Sequence, residues 1–241
     1  CPPKTQTEAS LLELKKSEFL LADDNARQAL ALGLLPCLSS PNPVLRDGIA
    51  FEAISFWLRK EQLNESTRRE LLEKLQLNLK QGKPDKAGFS APFSALVLSE
   101  VARTDRIKAW MTPEQRMQLV KATAAYMTGI RDYRGFDDKQ GWRHAVAHTS
   151  DLVMQLALNP AVDKAQLDLL LDATTAQIGI AGHSYIHGEP KRLLRAVLYI
   201  AKRDVHAEKD WQDWMDNLMK PAPLAKWDDA FTSSEGLAKR H

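Results

Sequence analysis

The sequence holds only two cysteines in 241 residues, Cys1 and Cys37, and no CxxC pair. That removes the common zinc-ribbon and thioredoxin-like readings. No apolar run approaches the roughly 20 residues that a membrane-spanning helix needs. An excess of one charge is missing too. The 33 Lys and Arg stand against 31 Asp and Glu, a net charge of +2. That is too little for an electrostatic footprint on nucleic acid, so no nucleic-acid partner is expected. No stretch alternates apolar and polar residues long enough to suggest a strand. What is present is 44% hydrophobic residues, enough to bury a substantial core in one large or two small domains.

Helical spacing recurs throughout. Glu8 to Leu21 reads as a first helix, and Asp23 or Asp24 can cap a second through Leu30 and Leu34. Pro41 and Pro43 break it. A third helix runs from Val44 to about Lys60, and Asn64 caps a fourth from Glu65 to Lys80. Residues 81–90 form a loop. Ser90 to about Trp110 is again helical, and Thr112-Pro113-Glu114-Gln115 is a strong start for the next helix. Further helices are expected over Gly141–Asn159, Asp163–Ile180, Pro190–Arg203 and Ala207–Lys220. About ten helices with short connections imply an all-α fold of stacked antiparallel pairs, HEAT-like in packing though without literal repeats. The expected division is a tether over 1–7, one helical domain over 8–220, and a loosely held tail over 221–241.

The chain opens on Cys1 followed by a short polar, glycine-free stretch. This resembles the mature end of a bacterial lipoprotein and suggests lipidation of Cys1 on a periplasm-facing surface. Membrane contact would then come only through that lipid. A Cys1–Cys37 disulfide is an alternative that excludes a thioether lipid. If the start at Cys1 is arbitrary, a cytoplasmic location follows.

The informative segment is 131–151. Its first half, with two glycines and alternating charges, is a loop. Its second half opens a helix at Gly141 or Trp142. On that helix His144, His148, Asp151 and Gln155 fall within about 60° of one another. Trp142, Val146 and Val153 would face the core. Between Ala145 and Leu158 there is no Lys, Arg or Glu, so the polar stripe should line a cleft or buried interface. Buried polar groups need partners or a ligand. Histidines at i and i+4 can share a metal, but Ala145-Val146-Ala147 between them lacks the glutamate of HExxH. A second cluster, His183, Tyr185, His187 and Glu189, sits on a connection one helix later. The two windows could meet at one end of a stack and offer His144, His148 and His187 to zinc or another divalent ion. A hydrogen-bonded network is the structural alternative. Asp132 and Arg134 could hold an anion or simply brace the loop.

The pattern Arg131-Asp132-x-Arg134-Gly135-Phe136, then Gly141-Trp142-x-His144-x-x-Ala147-His148-x-x-Asp151, then His187-Gly188-Glu189, resembles the bacterial DUF2785 family. The resemblance runs from about Leu11 and implies a helical fold but no catalytic residues. Two functions compete. One is an envelope-anchored binding or scaffold module around the histidine-rich cleft, with a protein or small-molecule partner. The other is a metal-dependent hydrolase or metal-binding protein using His144 and His148. A weaker third is a metal-free glycan-active enzyme.

Overall fold

A computed structural model describes residues 1–80, 86–180, 182–221 and 224–240. Its elements are α1 (Glu8–Lys16), α2 (Asp24–Gly33), α3 (Pro43–Leu45), a π-helical turn (Arg46–Phe51) running into α4 (Glu52–Arg59), α5 (Glu65–Lys80), α6 (Ser90–Ile107) and α7 (Pro113–Gly129). A hairpin of β1 (Phe136–Asp137) and β2 (Gly141–Trp142) precedes α8 (Ala145–Ala157). Then come α9 (Lys164–Thr175), α10 (Glu189–Ala201), α11 (Glu208–Leu218) and α12 (Ser234–Arg240). The fold is all-α, with the two-residue hairpin its only sheet among the described residues.

Local chemistry sets the helix starts. Asp23 accepts the Ala26 amide at 3.0 Å, and Asn64 accepts that of Thr67 at 2.8 Å. Thr112 with Gln115, and Asp163 with Gln166, form reciprocal capping boxes that satisfy amides the helix itself leaves open.

The helices form two layers. One holds α4, α6, α8 and α10; the other holds α2, α5, α7 and α9. Successive chain elements alternate between layers, so neighbours within a layer run parallel. The first turns of α5 and α7 meet through Arg69 and Gln115, and those of α7 and α9 through Met117 and Gln166. The beginnings of α6 and α8 meet at Phe93 and His148, and their ends at Arg106 and Gln155. Packed between α4 and α8 in its own layer and against α5 of the other, α6 is buried on nearly every side.

Asp105, near the end of α6, fastens three segments. It accepts the amides of Trp110 and Met111, Arg116 of α7 at 2.9 Å and the Asn159 side chain at 2.8 Å. Burial pushes its carboxyl up, but bonds from Arg116 and the two amides outweigh this and hold it below the usual range.

One helix start differs from the sequence reading, and both chain ends show more detail than it gave. Cys1 is joined to Cys37 by a disulfide, which consumes the sulfur a thioether lipid would need. Through it, and through Pro3 against Gly33, the stretch read as a tether is tied to the body. The helix expected from Gly141 begins at Ala145, because the hairpin claims residues 136–142. The tail read as loosely held carries the short helix α12 and a 3-10 turn, Trp227–Phe231, with Ala230 buried.

Removing half of the Asp105–Arg116 pair leaves a buried charge uncompensated. Asp105→Ala is expected to cost about 3–5 kcal/mol, measured by urea unfolding. A loss under about 1 kcal/mol, the value of a surface pair, would contradict this role.

Candidate functional site

The loops entering α8 and α10 emerge at the same end of the stack, beside the start of α6. In the first loop the Asp137 carboxylate accepts the Lys139 and Gln140 amides at 2.9 and 2.8 Å. This closes the hairpin and sets Phe136 opposite Trp142. The strand-like course continues as Arg143 and His144 donate their amides to Gly135 and Arg134. His144 then adopts a left-handed conformation, φ 58°, which swings the chain into α8. It therefore stands before the helix rather than on a stripe with His148. Even so, the two imidazoles lie 5.6 Å apart, centroid to centroid.

The structure brings the two histidine windows together. His144 Nε2 lies 3.1 Å from the His187 carbonyl and 3.5 Å from Glu189 Oε1. The other Glu189 oxygen accepts the His187 amide at 2.9 Å, so this buried carboxylate spans the second loop and the first turn of α10. Burial pushes the His144 imidazole below its ordinary value, against the pull of Glu189. Trp142 stacks on His144 with ring centroids 4.6 Å apart and meets His187 edge-on at 5.6 Å. The His187 ring lies against Gly135: a Cβ there would stand 1.9 Å from its Cδ2. Only glycine admits that approach.

His148 is sealed beneath this layer, edge-on to Phe93 at 5.1 Å. Its ring bonds to the Pro92 carbonyl, while Nδ1 has no hydrogen-bond partner. Nε2 is therefore the donor and the ring is neutral. Burial, with added repulsion from His144 and Arg192, pushes its pKa down to about 3. Asp151 pairs with Arg192 of α10. Burial raises its carboxyl while Arg192 opposes that rise. At the outer edge His183 stacks on Tyr133, centroids 4.9 Å apart, and the Tyr185 hydroxyl donates to the Gln177 carbonyl at 3.0 Å. Asp132 and Arg134 bind each other at 2.5 Å, and Arg134 reaches the Lys86 carbonyl at 3.4 Å.

Among the described residues, no three His, Cys, Asp or Glu side chains are grouped to hold a metal ion. The set His144, His148 and His187 is adjacent without forming a donor cage. His144 Nε2 turns to a carbonyl and a carboxylate, and His148 Nε2 to a different carbonyl.

Two supports of the site escaped the sequence reading. Arg46, fully buried in the π-helical turn, lies 3.9 Å from the centre of the Phe89 ring and 4.8 Å from that of Phe93. Arg143 lies 4.4 Å from the same Phe89 ring. Arg46 donates to the Gln140 carbonyl at 2.6 Å, and Arg143 to that of Ala87 at 2.6 Å. They tie the hairpin to the start of α6. Arg46 has near partners in Asp47 and the Ser40 carbonyl, but no local signal marks it as a support of the hairpin, since the Gln140 carbonyl is 94 residues away.

Two expected outcomes follow from this packing. Gly135→Ala must displace His187 and is expected to cost about 1–3 kcal/mol. Gly129→Ala, with nothing within 4 Å of its added carbon, should be neutral or stabilising by up to about 1 kcal/mol. Thermal unfolding of the two variants checks the contrast, and equal effects would refute it. The second outcome concerns pH. The folded state keeps His148 neutral to a pKa of about 3, whereas an unfolded histidine takes up its proton near 6.5. Between these values the unfolded state binds the extra proton. His148 thus favours the fold fully above pH 6.5, and the advantage fades as pH falls towards 3, by up to about 1.4 kcal/mol per pH unit. The stability difference between wild type and His148→Gln should slope accordingly from pH 6.5 to 4. A difference independent of pH would refute the assignment.

No curated protein and no solved structure matches this chain. The family described as "Protein of unknown function (DUF2785)" matches residues 75–241. The match begins within α5 rather than near Leu11, and it takes in both loops of the site. Because it spans well over half of the sequence, the chain belongs to the DUF2785 family.

Proposed function

We propose that this chain is a binding module whose recognition surface is the pair of loops at the start of α6, α8 and α10. The observation that carries this reading is the run of open or half-open apolar and aromatic side chains along them. Phe136 is 48% and Ile186 79% exposed, and Tyr133, Trp142, His183, Tyr185 and His187 are half-buried beside them. Aromatic side chains offer contact area at low entropic cost. Beneath them lie bonded groups, Glu189, His144 and Arg143, that hold the loops in one geometry. Such support suits recognition. It gives the hydrolase alternative little, because the buried His148 imidazole is neutral and its Nδ1 is shut off from solvent. A stack of helix pairs is also a common platform for binding.

The same proposal places the chain outside the reducing cytoplasm, supported by the Cys1–Cys37 disulfide. Disulfide and lipid anchor compete for one sulfur. Mass spectrometry of native protein is expected to yield a cross-linked Cys1–Cys37 peptide; an acylated Cys1 with a free Cys37 thiol would restore the anchored reading.

Binding is tested with a panel of envelope oligosaccharides and peptides, read by calorimetry. The panel should contain a ligand whose affinity falls by tenfold or more, about 1.4 kcal/mol, in Phe136→Ala or Ile186→Ser, with unchanged melting temperature. If every binder ignores both substitutions, or if the protein retains one zinc per chain that His144→Ala removes, the proposal fails.

A further inference from the structure

At the opposite end of the stack, α4 ends, α5 begins and α6 ends. Between them lies a cleft of 310 Å³. This is at the lower limit of the volume that small organic ligands occupy. It is remote from the loop surface: from Pro92 to Arg103 α6 rises about 16 Å.

The walls carry Arg59, Arg68, Arg103 and Lys108, and Glu61 is the acidic residue facing them. Arg59 is already committed, gripping Glu100 through two bonds of 2.8 and 2.5 Å. The other three cations have no carboxylate partner among the described residues. For Arg103 and Lys108 a plain account exists, since cations near the end of α6 offset its carbonyl dipoles. That account fails for Arg68. It sits in the first turn of α5, beside the Asn64 cap, where the helix dipole disfavours a cation. The Trp110 ring holds its guanidinium at 5.0 Å. Its Nε is shut off from solvent and has no acceptor. A guanidinium with an open donor and no acid to pair with is unfavourably placed unless an anion joins it.

We infer that this cleft binds a small molecule carrying a phosphoryl group, held by Arg68, Arg103 and Lys108. The planar forks of two arginines match phosphate oxygens, and lysine adds a point charge. A phosphate alone would fill part of the space. The remainder is bordered by Glu61, Asn64 and Thr104, polar groups that can bond to hydroxyls, and the Glu61 carboxylate would repel a second anion. The ligand class is therefore a phosphorylated, hydroxyl-bearing compound of a few carbons. The same chemistry occurs free or as the headgroup of a lipid, and the cleft's small volume favours the free form.

Calorimetry with glycerol 3-phosphate tests this on the full chain. Saturable binding is expected, weakened about tenfold by Arg68→Gln through loss of a charge-assisted bond. Lys108→Gln, at an exposed position, should weaken it too without touching the fold, and so decides the matter if Arg68→Gln is unstable. Arg131→Gln, at the other end of the molecule, should change nothing. Absence of saturable binding would overturn the inference, as would equal binding by all variants. Co-sedimentation with phosphatidylglycerol vesicles without binding of glycerol 3-phosphate would assign the site to a lipid and overturn it as well.

Discussion

Alternation between two layers obliges every second helix to run the same way. In this chain α6, α8 and α10 therefore begin at one end and finish at the other. The loops that feed them collect at the first end, where three helix N-termini gather, and the turns that leave them collect at the second. The histidine loops and the basic cleft occupy these two ends. Neither arrangement depends on a special motif, since both follow from the direction of chain travel. The polar fastenings around Asp105 and Arg46 then fix the spacing between neighbouring helices. Both groups are buried: Asp105 accepts bonds from two amides, Arg116 and Asn159, while Arg46 donates to the Ser40 and Gln140 carbonyls and pairs with Asp47.

The helical skeleton was legible because its signals are local. Asn64 before Glu65–Lys80, and Thr112 before Pro113–Gly129, lie within four residues of the amides they satisfy. The segment from Gly141 to Asn159 misled for a physical reason. Its apolar spacing continues through Trp142, yet Asp137 bonds the Lys139 and Gln140 amides first. A non-glycine residue at φ 58° then separates hairpin from helix. Left-handed histidine leaves no mark in a periodicity argument. The π-helical turn at Arg46–Phe51 was hidden in the same way, for it joins α3 to α4 without a proline within it.

Within the site, residue types were easier to read than roles. The absence of Lys, Arg and Glu along α8 correctly marks a covered helix, and His148 is buried. What spacing alone could not convey is the direction of each ring nitrogen. That direction is set by carbonyls of Pro92 and His187, which come from other parts of the chain. The nearness of Gly135 to His187 is likewise a contact between the two loops, visible only once both are placed.

A stack of helices is weakest where it ends, because a terminal layer has a neighbour on one side only. The two ends of this stack are finished differently. At one, the bond from Cys1 to Cys37 closes α1 and α2 into a covalent ring against the π-helical turn. At the other, α11 buries none of its residues fully. Loss of order should therefore advance from α11 inward. Amide exchange would run as a gradient along the chain, fast in α11 and slow in α6. The α10 edge of the recognition surface would then breathe while its α6 edge stays rigid.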